Sequence, residues 1–352
     1  MAAKKEDGNL IENKTDNEML RIASIEHSID SLSLFLSSNV TNLVYDTLNI
    51  MFCLSMAFEA YTEKYAEALF QTSKLSAGFG SRFDATRILS NADLKHLVRS
   101  HCISVVSMDY IVKPAFKSYM RGNKHHTLLY DVNFNDKLDS KRDEDMVKKE
   151  FKSNLGNDVN VDFIEFNPND VLNMYSVSIY DQKFLHPFNT SQTKNRIFLN
   201  HGIHEKRVKM MHQVVDLNYT KSEMFSAVIK PYENGDKLFV ILPVEKDDYI
   251  DVIKNLSHSK ITSLLKEMKL RRVELSLPKF TSHTTREMST YPTSSEWHNL
   301  ITEKDLLNKG YDPIKNNDGI YITSLKNVAI VKFDEQGTRV ETKSFTRHKM
   351  QR

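Results

Sequence analysis

The last 18 residues sort their charges by parity, and this limits the fold more than any other feature of the chain. Residues 335–352 read E-Q-G-T-R-V-E-T-K-S-F-T-R-H-K-M-Q-R. In steps of two from Thr338 come Thr338, Val340, Thr342, Ser344 and Thr346, all small or β-branched and uncharged. The other parity is Arg339, Glu341, Lys343, Phe345 and Arg347, charged but for the Phe. Side chains alternate across a strand, so this pattern asks for one face against protein and one face fit for water. The plainer reading is a solvated basic tail. Nothing caps the segment and no hydrophobic element follows it, so the chain reads as either tailed or truncated.

Composition excludes several classes. Length alone (352 residues) gives a prior of about two domains. The net charge is 48 − 46 = +2, so no global field draws the chain to nucleic acid or anionic lipid. Apolar residues are 40%, enough for a core. Phe239–Val244, among the longest apolar runs, falls far short of the roughly 20 residues of a spanning helix. Cys53 and Cys102 lie 102 − 53 = 49 positions apart, with no CxxC motif; they could pair, stay free or sit in the core. No cofactor or metal site is expected. His125-His126 lacks nearby carboxylate or Cys partners and reads as a solvated turn. No G-x-S-x-G elbow supports hydrolase chemistry. The N-terminus lacks a hydrophobic h-region, so the protein is intracellular or its signal peptide is absent from this sequence. Sequons at Asn13, Asn39, Asn189, Asn218 and Asn255 favour a secreted, extracellular glycoprotein.

Periodicity predicts helices first and strands later. Met19, Leu20, Ile22, Ile25, Ile29, Leu32 and Leu36 mark one helix face, and Leu48–Phe70 is a second helical stretch. Residues 76–92 are mixed, with Gly78 and Gly80 marking a loop. His101–Lys113 reads as a strand, Pro114–Arg121 as a short helix, Thr127–Phe134 as a strand and Asp139–Asn154 as a charged surface helix. Leu172–Tyr180 is a strand. Phe225–Lys230 and Lys237–Leu242 flank Asn234-Gly235, a strong hairpin signal. Asp247–Leu270 is a helical pair, Arg272–Phe280 turns Val273, Leu275 and Leu277 inward, and Tyr321–Phe333 is a strand. The order is that of an α+β fold.

Five segments in sequence order resemble the serpin (serine protease inhibitor) family over about residues 17–352. They are Phe184-Leu185-His186-Pro187-Phe188 with Thr193; Val208-Lys209-Met210-Met211-His212; Pro231-Tyr232 through Leu242-Pro243; Val273-Glu274-Leu275-Ser276-Leu277-Pro278-Lys279-Phe280; and Phe333-Asp334-Glu335-Gln336-Gly337-Thr338. The resemblance implies a single serpin domain over 17–352, with 1–16 a disordered or added N-terminus. It implies an α+β body of three β-sheets and about eight to nine helices. It makes Glu335, Gly337 and Thr338 the hinge of a reactive loop, 335–352. In a cleaved, relaxed form that loop inserts as a strand, with Thr338, Val340, Thr342, Ser344 and Thr346 inward.

The chain departs from the family pattern at the positions that control sheet opening. Cys53, Met56, Ser176 and Asn327 stand where serpins usually carry Ser, Ser, Asn and His, Phe184 replaces a Trp, and Leu54 replaces a Pro. The Ala-rich hinge stretch is missing. The family's final hydrophobic strands are absent too, which implies a non-covalent partner fragment of about 35 residues. The implied function is suicide-substrate inhibition of a trypsin-like serine protease in an extracellular proteolytic cascade, such as an immune cascade. Arg352 would be the bait, or Gln351–Arg352 the cleaved bond, because Arg pairs bidentately with a specificity-pocket carboxylate. The alternative is a non-inhibitory carrier, storage or decoy serpin. Lys113, Lys117, Arg121 and Lys124 form a basic cluster that reads more simply as a solvated face than as a heparin-like polysaccharide site.

Overall fold

The computed structural model describes residues 15–36, 44–92, 98–123, 126–200, 204–244, 249–287 and 320–350. Eight helices are present among them: α1 (Asp16–Leu36), α2 (Thr47–Ala60), α3 (Glu63–Thr72), α4 (Arg82–Asn91), α5 (Pro114–Gly122), α6 (Lys137–Leu155), α7 (Tyr249–Lys254) and α8 (His258–Glu267). The strands are β1 (Arg99–Ser107), β2 (His126–Val132), β3 (Asp170–Lys183), β4 (Lys194–Asn200), β5 (His204–Lys221), β6 (Phe225–Pro231), β7 (Lys237–Pro243), β8 (Lys269–Pro278), β9 (Phe280–Glu287), β10 (Ile320–Phe333) and β11 (Gly337–Met350).

Six strands form the main sheet in the order β2-β1-β3-β11-β10-β9. Only β1 and β2 run parallel; the other neighbours are antiparallel. The charge-sorted tail is therefore a central strand, bonded to β3 on one side and β10 on the other. A second network runs β4-β5-β6-β7, with β8 also on β5. The long β5 pairs first with β4 and β8 and then with β6, so two expected sheets share one strand.

Both faces of the main sheet are covered. Cys102 and Val106 of β1, with Leu172 and Met174 of β3, join the core built by α1–α5. Ile103, Val105, Tyr175, Val177 and Ile179 point the other way, to Val147, Phe151 and Leu155 of α6 and Val161, Ile164 and Phe166 after it. β3 is buried on both faces and, but for Asp170 and Asn173 near its start, its sequence DVLNMYSVSIY is accordingly hydrophobic, aromatic or small. The interior of α2 (TLNIMFCLSMAFEA) is apolar nearly all round, which suits a helix packed on several sides.

Some elements differ from the sequence expectation. The mixed stretch 76–92 resolves into the turn at Gly78 and Gly80 and then α4, which starts where Ser81 Oγ accepts from the Asp84 N–H at 3.1 Å. Gly78 is there because α1 passes close by; a Cβ would lie 2.3 Å from the Ala23 nitrogen. β1 stops at Ser107, and Met108 and Ile111 are exposed beyond it. The buried stripe of α1 is Leu20, Ile22, Ala23, His27 and Ser31, while Ile25 and Ile29 are half-buried. His27 is held by Ser73 O at 2.6 Å and Tyr45 OH at 2.7 Å, a polar core contact that hydrophobic spacing does not reveal. Among the described residues no helix is long and apolar enough to cross a membrane, and no group of three or more His, Cys, Asp or Glu could hold a metal ion.

Candidate functional site

The site is the slot occupied by β11 and the groups that receive it. At its upper end, the Phe188 N–H donates to Glu335 O at 2.9 Å and the Phe184 N–H to Gln336 O at 2.8 Å. Gly337 lies against β3 so closely that a Cβ would meet Gln182 O at 2.0 Å. Burial pushes the Glu335 carboxyl up, but Lys279 Nζ at 2.6 Å and the Thr193 hydroxyl at 2.8 Å help hold it below its ordinary value. The Thr338 hydroxyl meets Tyr232 OH at 2.7 Å.

Phe184 belongs to this upper end. Its ring stacks on Tyr232 at 5.1 Å and meets Phe333 edge-on at 5.6 Å and Phe188 at 6.1 Å. Fully buried Lys230 sits beside them, 4.6 Å from the Phe184 ring and 4.4 Å from Phe188, and donates to His186 O at 2.6 Å. Burial lowers its ammonium to about 8.

The middle of β11 meets a polar row beneath α2. Strand register aligns Cys102, Ser176, Ser344 and Asn327 across β1, β3, β11 and β10. Asn49 of α2 faces this row: its Nδ2 donates to Thr342 Oγ1 at 3.1 Å and Ser344 Oγ at 3.4 Å, and its Oδ1 accepts from Ser176. Asp46, the N-cap of α2, accepts from Thr342 at 2.6 Å and from Ser178. Asn327 Nδ2 donates to Ser344 at 2.9 Å, and the Cys102 thiol to Ser176 at 3.0 Å. Cys53, one turn after Asn49, faces Cys102, Ser176 and Ser344. Both thiols are free, and burial pushes Cys102 well up. Met56 reaches the next row, where its sulfur accepts from Ser104 at 3.5 Å.

Thr342, Ser344 and Thr346 are buried on this inner face, and Thr338 and Val340 are half-buried. The opposite parity does not face open water. Segment 156–169 crosses over it: Phe345 stacks on Tyr175 at 5.1 Å, Lys343 is only 6% exposed, and Arg339 pairs with Asp158 and Asp181 at 2.7 Å each. Charges on this face are satisfied by partners, not by solvent alone.

Five sequence-selected positions therefore fall into two groups. Cys53, Met56, Ser176 and Asn327 gather under α2, while Phe184 lies apart with the hinge. The central receptors Asp46 and Asn49 are absent from the sequence reading. Their signal was a polar pair at the start of an otherwise apolar helix, with Asn49 four residues before Cys53. Gln351 and Arg352 lie outside the described residues, as do Lys124 and His125.

Residues 28–352 match the family model described as serpin (serine protease inhibitor). The plasma serine protease inhibitor of Homo sapiens is 27% identical over 214 residues, 60% of this chain and 50% of that protein. Iripin-8 of Ixodes ricinus is 26% identical over 162 residues, 45% of this chain and 39% of that protein. Matches to the curated relatives span between 34% and 50% of those proteins' own lengths. Among solved structures, reactive-loop-cleaved human thyroxine binding globulin has a TM-score of 0.78 at 13% identity, covering 94% of this chain and 98% of that one. With the match running over almost all of its length, and the fold in agreement, the chain belongs to the serpin family.

Proposed function

We propose that this serpin inhibits a trypsin-like serine protease by inserting its own reactive loop, residues 335–352, into the main sheet. One observation carries the reading: β11 lies between β3 and β10, and its Thr342 and Ser344 hydroxyls meet Asp46, Asn49 and Asn327. An inserted strand that buries hydroxyls must find partners for them, and here it does. In this reading the protease serine attacks the bait carbonyl, the following amine leaves and an acyl-enzyme forms. Threading of 338–350 then drags the protease along and distorts its active site. The enzyme supplies the catalysis and this chain supplies bait and conformational energy.

Arg352 is the bait, with Gln351–Arg352 as the competing cleaved bond. The inhibitor also carries a hydrophobic C-terminal segment, held without a covalent link after cleavage. Exposed Leu242 and Val244 at the end of β7 and Ile197 on β4 offer it apolar surface. An extracellular setting accords with the exposed sequon residues Asn189, Asn218 and Asn255. Arg352→Ala should abolish inhibition of trypsin-like enzymes, read as loss of the SDS-stable complex; unchanged rates sink the assignment. A second reading, a non-inhibitory carrier, storage or decoy serpin, is favoured by Val340, Thr342 and Ser344 where inhibitors carry Ala. Under it no SDS-stable complex forms with any trypsin-like protease.

A further inference from the structure

The outer face of β11 is held at both ends by acidic groups from elsewhere in the chain. At the upper end Arg339 forks between two carboxylates: Nη1 reaches Asp181 Oδ2 at 2.7 Å and Nη2 reaches Asp158 Oδ2 at 2.7 Å. Asp181 is its direct cross-strand neighbour on β3. Asp158 lies just after α6 and is shared with Arg99 of β1 at 3.8 Å. At the lower end Arg347 Nε lies 3.3 Å from Asp170 Oδ2, its Nη2 donates to Glu165 O at 3.2 Å, and Lys349 Nζ lies 3.8 Å from Asp170 Oδ1. The Asp170 side chain is fully buried and is oriented by Asn173 Nδ2 at 2.8 Å and the Asn167 N–H at 3.0 Å.

The two faces of β11 ask different things of the strand that fills the slot. The inner face asks for small uncharged residues, and many sequences meet that. The outer face asks for a cation opposite Asp181 and two more near Asp170. A strand slipped by two residues keeps its parity but moves Arg339 away from Asp181, setting Glu341 or Gly337 there. Buried Asp170 then also loses cations, and an uncompensated buried charge is costly.

We propose that Asp158, Asp181 and Asp170 form an acidic clasp that reads Arg339, Arg347 and Lys349 and fixes the register in which the loop inserts. The clasp rests on the insertion reading above and names the residues that position the strand. Its ends differ in salt response. Arg339 is about one-third exposed and its pairs are screened by salt, whereas Asp170 is shielded.

Hydrogen exchange followed by mass spectrometry over 337–350 of this chain tests it. Wild type should be protected throughout. Asp158→Asn with Asp181→Asn should speed exchange of 338–342 about tenfold. Asp170→Asn should speed 345–350 by roughly a hundredfold. Raising salt from about 0.05 M to 0.5 M should speed 338–342 in wild type and leave 345–350 unchanged. Arg339→Glu should loosen the upper end, and adding Asp181→Arg should restore it, which a merely structural role would not do. If wild type exchanges freely at 337–350 while β3 and β10 stay protected, the insertion reading falls and the clasp with it. If wild type is protected but the Asp158, Asp181 variant is no faster and salt has no effect, the clasp falls and insertion stands. Should an Asn variant lose protection in β1 and β5 as well, the Arg339, Asp181 exchange pair decides the matter.

Discussion

The top of the main sheet and the row beneath α2 are built from opposite materials. At the top, Phe184, Phe188, Tyr232 and Phe333 close on one another through ring contacts, and β11 reaches them by the Thr338 hydroxyl. Beneath α2 the contacts are hydroxyl, amide, thiol and carboxylate, and β11 supplies two of the groups, Thr342 and Ser344. The aromatic contacts at the top are made among rings of other elements and include no β11 side chain but Thr338, at its hydroxyl. The buried hydrogen-bond row does include β11: without Thr342 and Ser344, the Asn49 amide lacks acceptors and Asp46 loses a donor. The top is therefore an anchor built without β11, whereas the row beneath α2 takes two of its hydrogen-bonding groups from β11.

The largest effect should come from the anchor. Phe184→Ala removes a fully buried ring touching three others, and should cost roughly 3–5 kcal/mol in denaturant unfolding. Because the ring contacts of Phe184 involve no residue of β11, exchange at 342–346 should rise no more than the global loss requires. A selective rise there would mean that the two regions are not separable.

Thr342→Val should come next, at about 1–3 kcal/mol, because a methyl replaces a hydroxyl that serves both Asp46 and Asn49. Thr338→Val, at the top, removes a bond from half-buried Thr338 to the Tyr232 hydroxyl and should cost about 0.5–1.5 kcal/mol. Equal losses in the two variants would break the distinction between anchor and row.

The sequence carried one side of this comparison better than the other. The alternation from Thr338 to Thr346 is a period-two signal within one short segment, and any strand reading finds it. The Phe184–Phe188 segment and Glu335–Thr338 stand out by local pattern as well. Asp46 and Asn49 were not legible, because their role appears only when four strands align a row under one helix turn. The cover over the outer face was hidden for the same reason: Arg339 and Asp158 are 339 − 158 = 181 positions apart. A charged parity looks solvent-facing until a distant segment is known to lie over it. The mixed pattern of 76–92 did not separate α4 from the turn before it, where Gly78 answers to the close passage of α1.

Acidity and alkalinity should separate the anchor from β11 with the smallest effects at neutral pH. Lys230, at the top, titrates at about 8 in the folded protein against an ordinary 10.5, because burial disfavours its charge. Below pH 8 both states are protonated and the cost of the buried charge is constant. Between 8 and 10.5 the unfolded chain binds more protons, so stability rises with pH. His348, in the lower half of β11, is lowered by burial to about 4 from 6.5, with Nδ1 3.2 Å from Leu172 O. Its neutral form is favoured by the fold, so its contribution is present above pH 6.5 and is lost as pH falls from 6.5 to 4. His27, on α1, shares that window, since burial lowers it to about 4 as well. Denaturant midpoints from pH 4 to 10 should therefore climb at both ends of the range. Lys230→Met should flatten the climb above pH 8 and leave the acid limb alone. His348→Gln should reduce the acid limb without removing it, because His27 remains. If His348→Gln leaves the acid limb unchanged while exchange at 346–350 stays protected, then His348 is not the group whose burial couples β11 to protons.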